Sequence, residues 1–160
     1  MNAGGRTGIR RASARDLDQL TALWRAINSH HSHLDPLFTE RSEAGAEARE
    51  LLRAQLADTD MAFFVTERAG ELVGFCAVRI DHAPPILVEV ERAQITDLFV
   101  VENFRRQGIA RALIAPALEW VRARRVARVE VRVACGNHEG QAFWRALGFS
   151  DLMDVLHRRL

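Results

Sequence analysis

The sequence contains no lysine and no tyrosine. All 22 of its basic residues are therefore arginine, so no side-chain amine and no phenol is available for proton transfer. Cysteine is scarce as well. Cys76 and Cys135 alone, in 160 residues, exclude a disulfide framework. Both lie in apolar runs and read as buried thiols packing like small hydrophobes. No apolar run approaches the length of a membrane span. The opening residues 1–8 are polar and glycine-rich, with no apolar leader behind them. The expectation is a soluble, cytoplasmic chain with no membrane partner. The 21 acidic residues nearly balance the basic ones, for a formal charge of +1, and nothing in that balance demands nucleic acid. What is abundant is apolar side chain, 48% of the total, enough for one domain with a sizeable core over residues 1–160. Residues 1–6 read as a flexible N-terminus.

The most informative stretch is residues 94–115. Residues 95–101 (I-T-D-L-F-V-V) form a β-branched and apolar run, which reads as a strand buried on both faces. Glu102, Asn103 and Phe104 make a short turn. Arg105-Arg106-Gln107-Gly108-Ile109-Ala110-Arg111 then leads into an amphipathic helix with Leu113, Ile114, Leu118 and Val121 on one side. The first turn of a helix has free N–H groups and a positive dipole end. Gly108 has no side chain to obstruct a ligand lying on those donors. With Arg105, Arg106 and Arg111 around it, the segment reads as a seat for phosphate or pyrophosphate. It lacks the lysine and longer glycine spacing of a P-loop, and it is not G-x-G-x-x-G.

Elsewhere the pattern predicts a weak first strand at residues 7–12. A helix follows with Leu17, Leu20, Leu23, Trp24 and Ile27 at helical spacing. Residues 28–36, N-S-H-H-S-H-L-D-P, are expected to break that helix. His30, His31 and His33 there have no cysteine or acidic partner at ligand spacing, so no metal site is expected. Such a loop is either solvated or overhangs a substrate pocket. A second helix is expected over 42–57, then a hairpin of strands 61–66 and 71–80 turning at Gly70. Strand character resumes over 87–91. After the long helix come a strand at 126–134, a short helix at 139–147 with Gly148 ending it, and a last strand over 155–160. The order β-α-α-β-β-β-α-β-α-β implies an α/β fold with a mixed sheet and helices on both faces.

The segment Arg105 to Ala110 resembles the pyrophosphate-binding signature R/Q-x-x-G-x-G/A of the GNAT-family N-acetyltransferases. A second segment supports the likeness. Asn137 followed by Q-A-F-W-R-A-L-G-F (residues 141–149) resembles the family's N-x-x-A-x-x-F-Y-x-x-x-G-F. The element order is similar too, so the resemblance covers essentially the whole chain. It implies a central, mixed, mostly antiparallel sheet with splayed central strands. It implies that acetyl-CoA is bound and its acetyl group passed to an amine, with CoA as product. It implies that the backbone of Leu98, Phe99 and Val100 pairs with the pantetheine arm. Donors from Arg106, Gln107, Gly108, Ile109, Ala110 and Arg111 would hold the pyrophosphate, and the Val100 N–H would polarise the thioester carbonyl. Asn137 would hydrogen-bond near the cofactor arm or steady the splayed strand. The family commonly forms homodimers.

Trp144 departs from the pattern. It stands where the family often carries a tyrosine acid, and an indole N–H donates a hydrogen bond without ionising usefully. Trp144 is either a donor to the cofactor or core packing. The proton acceptor is open between three carboxylates. Asp97 is the one charge inside an apolar strand, either paired or facing a cleft as a base. Glu89 and Glu91 share its parity and would join it on one face if no bulge intervenes; otherwise they mark an exposed strand edge. Arg122, Arg124, Arg125 and Arg128 form a basic cluster, either a solvated face or a contact for the 3′-phosphate of CoA or an acidic partner. Three functions remain in view: an amine acetyltransferase acting by direct attack on a small-molecule or protein amine, a non-catalytic acyl-CoA-binding module, and an arginine-rich nucleic-acid binder. The balancing acids weigh against the third.

Overall fold

Strand 61–66 begins a run of six consecutive buried residues, Met61 to Thr66, which only a strand covered on both faces can satisfy. In a computed structural model describing residues 8–158, this run is β2 (Met61–Arg68), paired antiparallel with β3 (Glu71–His82). Gly70 turns the hairpin at φ +85°, a conformation that only glycine adopts without cost. β1 (Ile9–Arg11) adds to the outer side of β2, and β4 (Glu91–Val100) to the far side of β3, both antiparallel. β5 (Val129–Val131) closes the order β1-β2-β3-β4-β5 and pairs parallel to β4. The sheet is mixed and mostly antiparallel, as expected.

Helix α1 (Leu17–Leu34) and helix α2 (Gly45–Ala57) cover one face. There Leu20, Leu52, Phe63, Val65, Phe75 and Ala77 form a core. Helix α3 (Ile109–Ala123) and helix α4 (His138–Arg145) lie on the other, over Phe64, Cys76, Val78, Ile95, Leu113 and Val121. Phe63 and Phe75 are fully buried, each worth about 2–3 kcal/mol in apolar burial. Arg10 ties the start of the chain to α1 through a two-pronged ion pair with Asp16, at 2.7 and 2.8 Å.

Four expectations are corrected. Residues 28–34 do not break α1: His30, His31 and His33 lie on its last turns, and the break falls at Asp35-Pro36, where proline cannot continue a helix. Residues 84–90 form an exposed loop, and β4 starts only at Glu91. Residues 150–158 are exposed and form no regular element where a final strand was expected, and they are not part of the sheet. Cys135 is exposed; only Cys76 is a buried thiol. The expected flexible residues 1–6 lie outside the described part, as do Thr7 of the expected first strand and the last two residues. No helix among the described residues is long and apolar enough to cross a membrane. Nor do they contain a group of three or more His, Cys, Asp or Glu placed to hold a metal ion.

Candidate functional site

One extra residue in β4 organises the site. Ala77 pairs with Asp97 and Val78 with Ile95, so Thr96 is a bulge opposite no partner. A bulge inverts which face each later side chain occupies. Before it, Ala93 and Ile95 face the α3-side core; after it, Leu98 and Val100 do. Phe99 accordingly packs on the α1 side, against the core that Trp24 also borders. The backbone inverts with the side chains. Ahead of the bulge the Ala93 N–H donates toward β5, to Arg128 O at 2.9 Å. Beyond it the Val101 N–H donates to Val73 O at 2.9 Å, on the β3 side. Alternation from Val101 turns the N–H groups of Leu98 and Val100 away from β3. On that side pairing with β5 has ended at Ile95–Val131. Two strand donors therefore face an opening between the strands, beside the buried Val100 side chain.

The helix that follows supplies the second half of the site. After a single turn of 3-10 helix at Glu102–Phe104, Arg106 and Gly108 both take left-handed conformations, at φ +61° and +80°. The Ala112 N–H is the donor to Gly108 O, at 3.0 Å, which leaves those of Ile109, Ala110 and Arg111 outside the helical ladder. A Cβ placed on Gly108 would meet nothing within 4 Å, so the space before these donors is open. Arg106, Gln107 and Arg111 are exposed around it. Arg105 is turned elsewhere. Its Nε donates to Val100 O at 2.9 Å and its guanidinium lies 5.7 Å from the Phe99 ring centroid. It straps the turn to the strand rather than adding its charge to the seat.

Asp97 faces α1. Burial raises its pKa, and hydrogen bonds from Thr96 and the Trp24 indole, with the charge of Arg79, offset part of that rise. The bulge separates it from the other two carboxylates. Glu91 precedes the bulge, is exposed and lies 3.6 Å from His82; Glu89 stands in the loop, 3.1 Å from Arg128. The shared face expected for Asp97, Glu89 and Glu91 does not exist, because equal sequence parity no longer means the same face. Burial also pushes the Cys76 thiol up, with the Asp97 charge adding to the effect.

Asn137 caps α4, its side-chain oxygen accepting from the Gly140 N–H at 2.9 Å. Gln141 donates to the carbonyls of Ala134 and Cys135 at 3.2 and 3.0 Å, tying α4 to the end of the β5 segment. Trp144 is buried, with edge-to-face contacts to Phe143 and Phe149 at 5.3 and 5.1 Å; packing is the role its surroundings describe. Gly148, at φ +89°, ends α4. The Phe149 N–H reaches Trp144 O and the Gly148 N–H reaches Arg145 O, a Schellman closure. Of the basic cluster, Arg124 stacks on Trp120 at 3.7 Å and donates to Thr59 O, while Arg128 pairs with Glu89 and Glu130. Three residues have roles at the site that the sequence did not assign them: Trp24, read only as a periodic helix residue, Gly74, and Gln141, read only as part of the second segment. A glycine inside a strand is the signal that marks Gly74; the other two reveal themselves only through contacts.

A mixed sheet opens beside a bulged central strand, and a helix start with free N–H donors stands at the strand's end. Comparison with known proteins shows which family is built this way. A model described as the acetyltransferase (GNAT) family matches residues 23–149, and the chain belongs to that family. An uncharacterized N-acetyltransferase of Archaeoglobus fulgidus is 29% identical over 136 residues, covering 85% of this chain and 88% of the relative. An uncharacterized N-acetyltransferase of Methanocaldococcus jannaschii is 37% identical over 89 residues, 56% of this chain and 39% of the relative. The chain also spans less than two thirds of relatives from Sulfurisphaera tokodaii and Bacillus subtilis, at 64% and 52%. Among solved structures, a tetramutant of the BH1408 protein from Bacillus halodurans has a TM-score of 0.84 at 20% identity, covering 96% and 99% of the two chains. Aminoglycoside N-acetyltransferase AAC(6')-Iy in complex with CoA has a TM-score of 0.79 at 20% identity, covering 100% and 98%. At such identities the likeness is one of fold.

Proposed function

We propose that this protein is an N-acetyltransferase that takes its acetyl group from acetyl-CoA and passes it to an amine by direct attack. The observation carrying this reading is the pair of donors at Leu98 and Val100, turned by the Thr96 bulge into the opening beside β5. The open space before Gly108 fits a pyrophosphate. The N–H groups of Ile109, Ala110 and Arg111 hold it, with Gln107 and the exposed Arg106 and Arg111 at its rim. Leu98 and Val100 offer the pantetheine arm a strand edge, and Phe99 and Arg105 keep that edge in place. Acetyl-CoA, when bound, supplies an activated thioester; the Val100 N–H is the donor for its carbonyl oxygen.

Asp97 takes the proton of the attacking ammonium. Its raised pKa brings the carboxylate closer to the range in which a base works near neutral pH. Glu89 and Glu91 have no part in that step. Trp144 supports α4 and does not supply a proton to the departing thiolate, so the thiolate leaves with its charge stabilised by water or by hydrogen bonding. The acceptor is a small-molecule or a protein amine, and the active form is a cytoplasmic homodimer.

Calorimetry with acetyl-CoA tests the reading. The intact protein is expected to bind at micromolar concentration and Gly108→Glu to abolish binding, because the carboxylate enters the open seat. Gly108→Ala carries the same backbone strain without the charge and is expected to retain binding. No binding by the intact protein withdraws the proposal. Asp97→Asn is expected to bind acetyl-CoA normally and to lose turnover with a competent amine; undiminished turnover would remove Asp97 from the mechanism.

A further inference from the structure

We propose that Trp24 is the positioning residue for the base: its indole N–H holds the Asp97 carboxylate, ionised, on the α1 face of the sheet, where the ammonium of an acceptor meets it. The inference rests on the reading of Asp97 as the base. Two placements bring the pair together. The bulge at Thr96 turns Asp97, like Phe99, to the α1 side; without the extra residue Asp97 would face α3. On α1, Trp24 stands at the edge of the apolar stripe of Leu20, Leu23 and Ile27. Those three are buried, whereas Trp24 is half-buried and borders the same core as Phe99. An indole so placed has an N–H to satisfy, and Asp97 accepts it. Asp97 is itself only partly buried, so a proton donor can still reach the carboxylate.

Three groups favour the ionised form of Asp97, namely Thr96, Trp24 and Arg79, and only Trp24 is committed to it. The Arg79 guanidinium is engaged by Asp81 at 2.8 Å and by Gln94 at 2.9 Å. The Thr96 hydroxyl also lies 3.5 Å from Ala77 O, and its one hydrogen can rotate between the two acceptors. The Trp24 N–H is a donor that cannot accept. It therefore bonds better to the carboxylate than to the protonated acid.

The surroundings of the ring point the same way. Trp24 lines a cavity of about 170 Å³ with Glu40, Ala44, Glu47, Ala48 and Leu51. Helix α2 thus leaves part of the indole unclamped, and the bond to Asp97 fixes the ring as well as the carboxylate. The two carboxylates of the cavity are paired, Glu40 with Arg25 at 3.1 Å and Glu47 with Arg41. The Cys76 thiol, which also feels the Asp97 charge, lies in the α3-side core and is kept neutral by burial.

NMR titration of the full chain tests the proposal without an acceptor. The indole N–H resonances belong to Trp24, Trp120 and Trp144, and Trp24→Phe identifies the first. The other two lie in the α3-side core and serve as references. The Trp24 resonance is expected to move downfield as Asp97 ionises, with the same midpoint as the Asp97 carboxyl carbon, and to stop moving in Asp97→Asn. In Trp24→Phe the Asp97 midpoint is expected to rise, because the lost donor favoured the charged form. A Trp24 resonance indifferent to Asp97→Asn overturns the bond, whether or not Trp24→Phe folds. An unmoved Asp97 midpoint in Trp24→Phe overturns its hold on the charge. Trp24→Phe is expected to bind acetyl-CoA with the affinity of the parent in calorimetry; lost binding would make Trp24 a support of the fold and overturn the proposal. With the primary amine on which Asp97→Asn is scored, kcat of Trp24→Phe is expected to fall about tenfold. Undiminished kcat overturns the positioning role and leaves Asp97 as the base. Full turnover by Asp97→Asn removes the base, and the role of Trp24 with it, even where the two side chains titrate together.

Discussion

Replacing Gly74 by alanine reaches the proposed site from the neighbouring strand and leaves the chemistry of every group in it unchanged. Gly74 is the register partner of Val100. A Cβ added there would lie 2.9 Å from Phe99 O, 3.2 Å from Leu113 Cδ1 and 3.4 Å from Val100 Cγ2. The nearest contact is backbone and cannot rotate away. Ordinary carbon contacts begin at about 3.5 Å, so β4 must move from β3 by about 0.5 Å at Phe99. Overpacking of this kind costs about 1–3 kcal/mol, and the loss of glycine's unfolded-state freedom returns about 0.4–1 kcal/mol. A net loss of about 1–2 kcal/mol is expected in urea denaturation. The same displacement moves the Val100 N–H. Since a 1 Å misplacement costs about a hundredfold in rate, turnover is expected to fall about tenfold at a temperature where the variant stays folded. Stability within about 0.5 kcal/mol of the parent, with unaltered turnover, would refute the packing argument and the placement of the donor.

Two further predictions concern pH. The folded-state pKa of Asp97 is raised by burial, so the folded protein binds this proton more tightly than the unfolded chain. Stability then falls as pH rises from the ordinary carboxylate range through the raised value, and the penalty is fully present above it. Asp97→Asn is expected to raise the melting temperature at pH 8 and to lose that advantage below about pH 4; a variant equally stabilised at both pH values would contradict the assignment. Asp16 behaves in the opposite sense. Its hydrogen bonds from Arg10, with Ser13 assisting against the cost of burial, lower its pKa from 3.8 to about 2. That stabilisation is present above the ordinary value and is lost as pH falls from about 4 through 2. At neutral pH it amounts to about 2 kcal/mol, which Asp16→Asn should remove in urea denaturation at pH 7 and no longer remove near pH 2.

Where local chemistry decides an element, the sequence shows it. The start of α3 is legible because Gly108 must be left-handed and the arginines crowd its first turn. The hairpin at Gly70 and the closure of α4 at Gly148 follow from the same property of glycine. The sequence suggests too early an end for α1 because three histidines and two serines look like a loop, whereas the helix runs to Leu34 and only Pro36 forbids a further turn. Gly74 is visible as an oddity, but its reason, the carbonyl of Phe99, lies on another strand.

The proposed base shows the limit most clearly. Sequence alone determined that a strand, a turn and a helix opening on a glycine follow one another at residues 95–111, because each is specified by side chains within a few positions. It also determined that Asp97 is a lone charge in an apolar run. Whether Asp97, Glu89 and Glu91 share a face was decided only in the folded sheet. Register between β3 and β4 is a contest among all their cross-strand contacts, and the extra residue at Thr96 settles it by inverting everything beyond. The same inversion aims the N–H groups of Leu98 and Val100 at the opening beside β5.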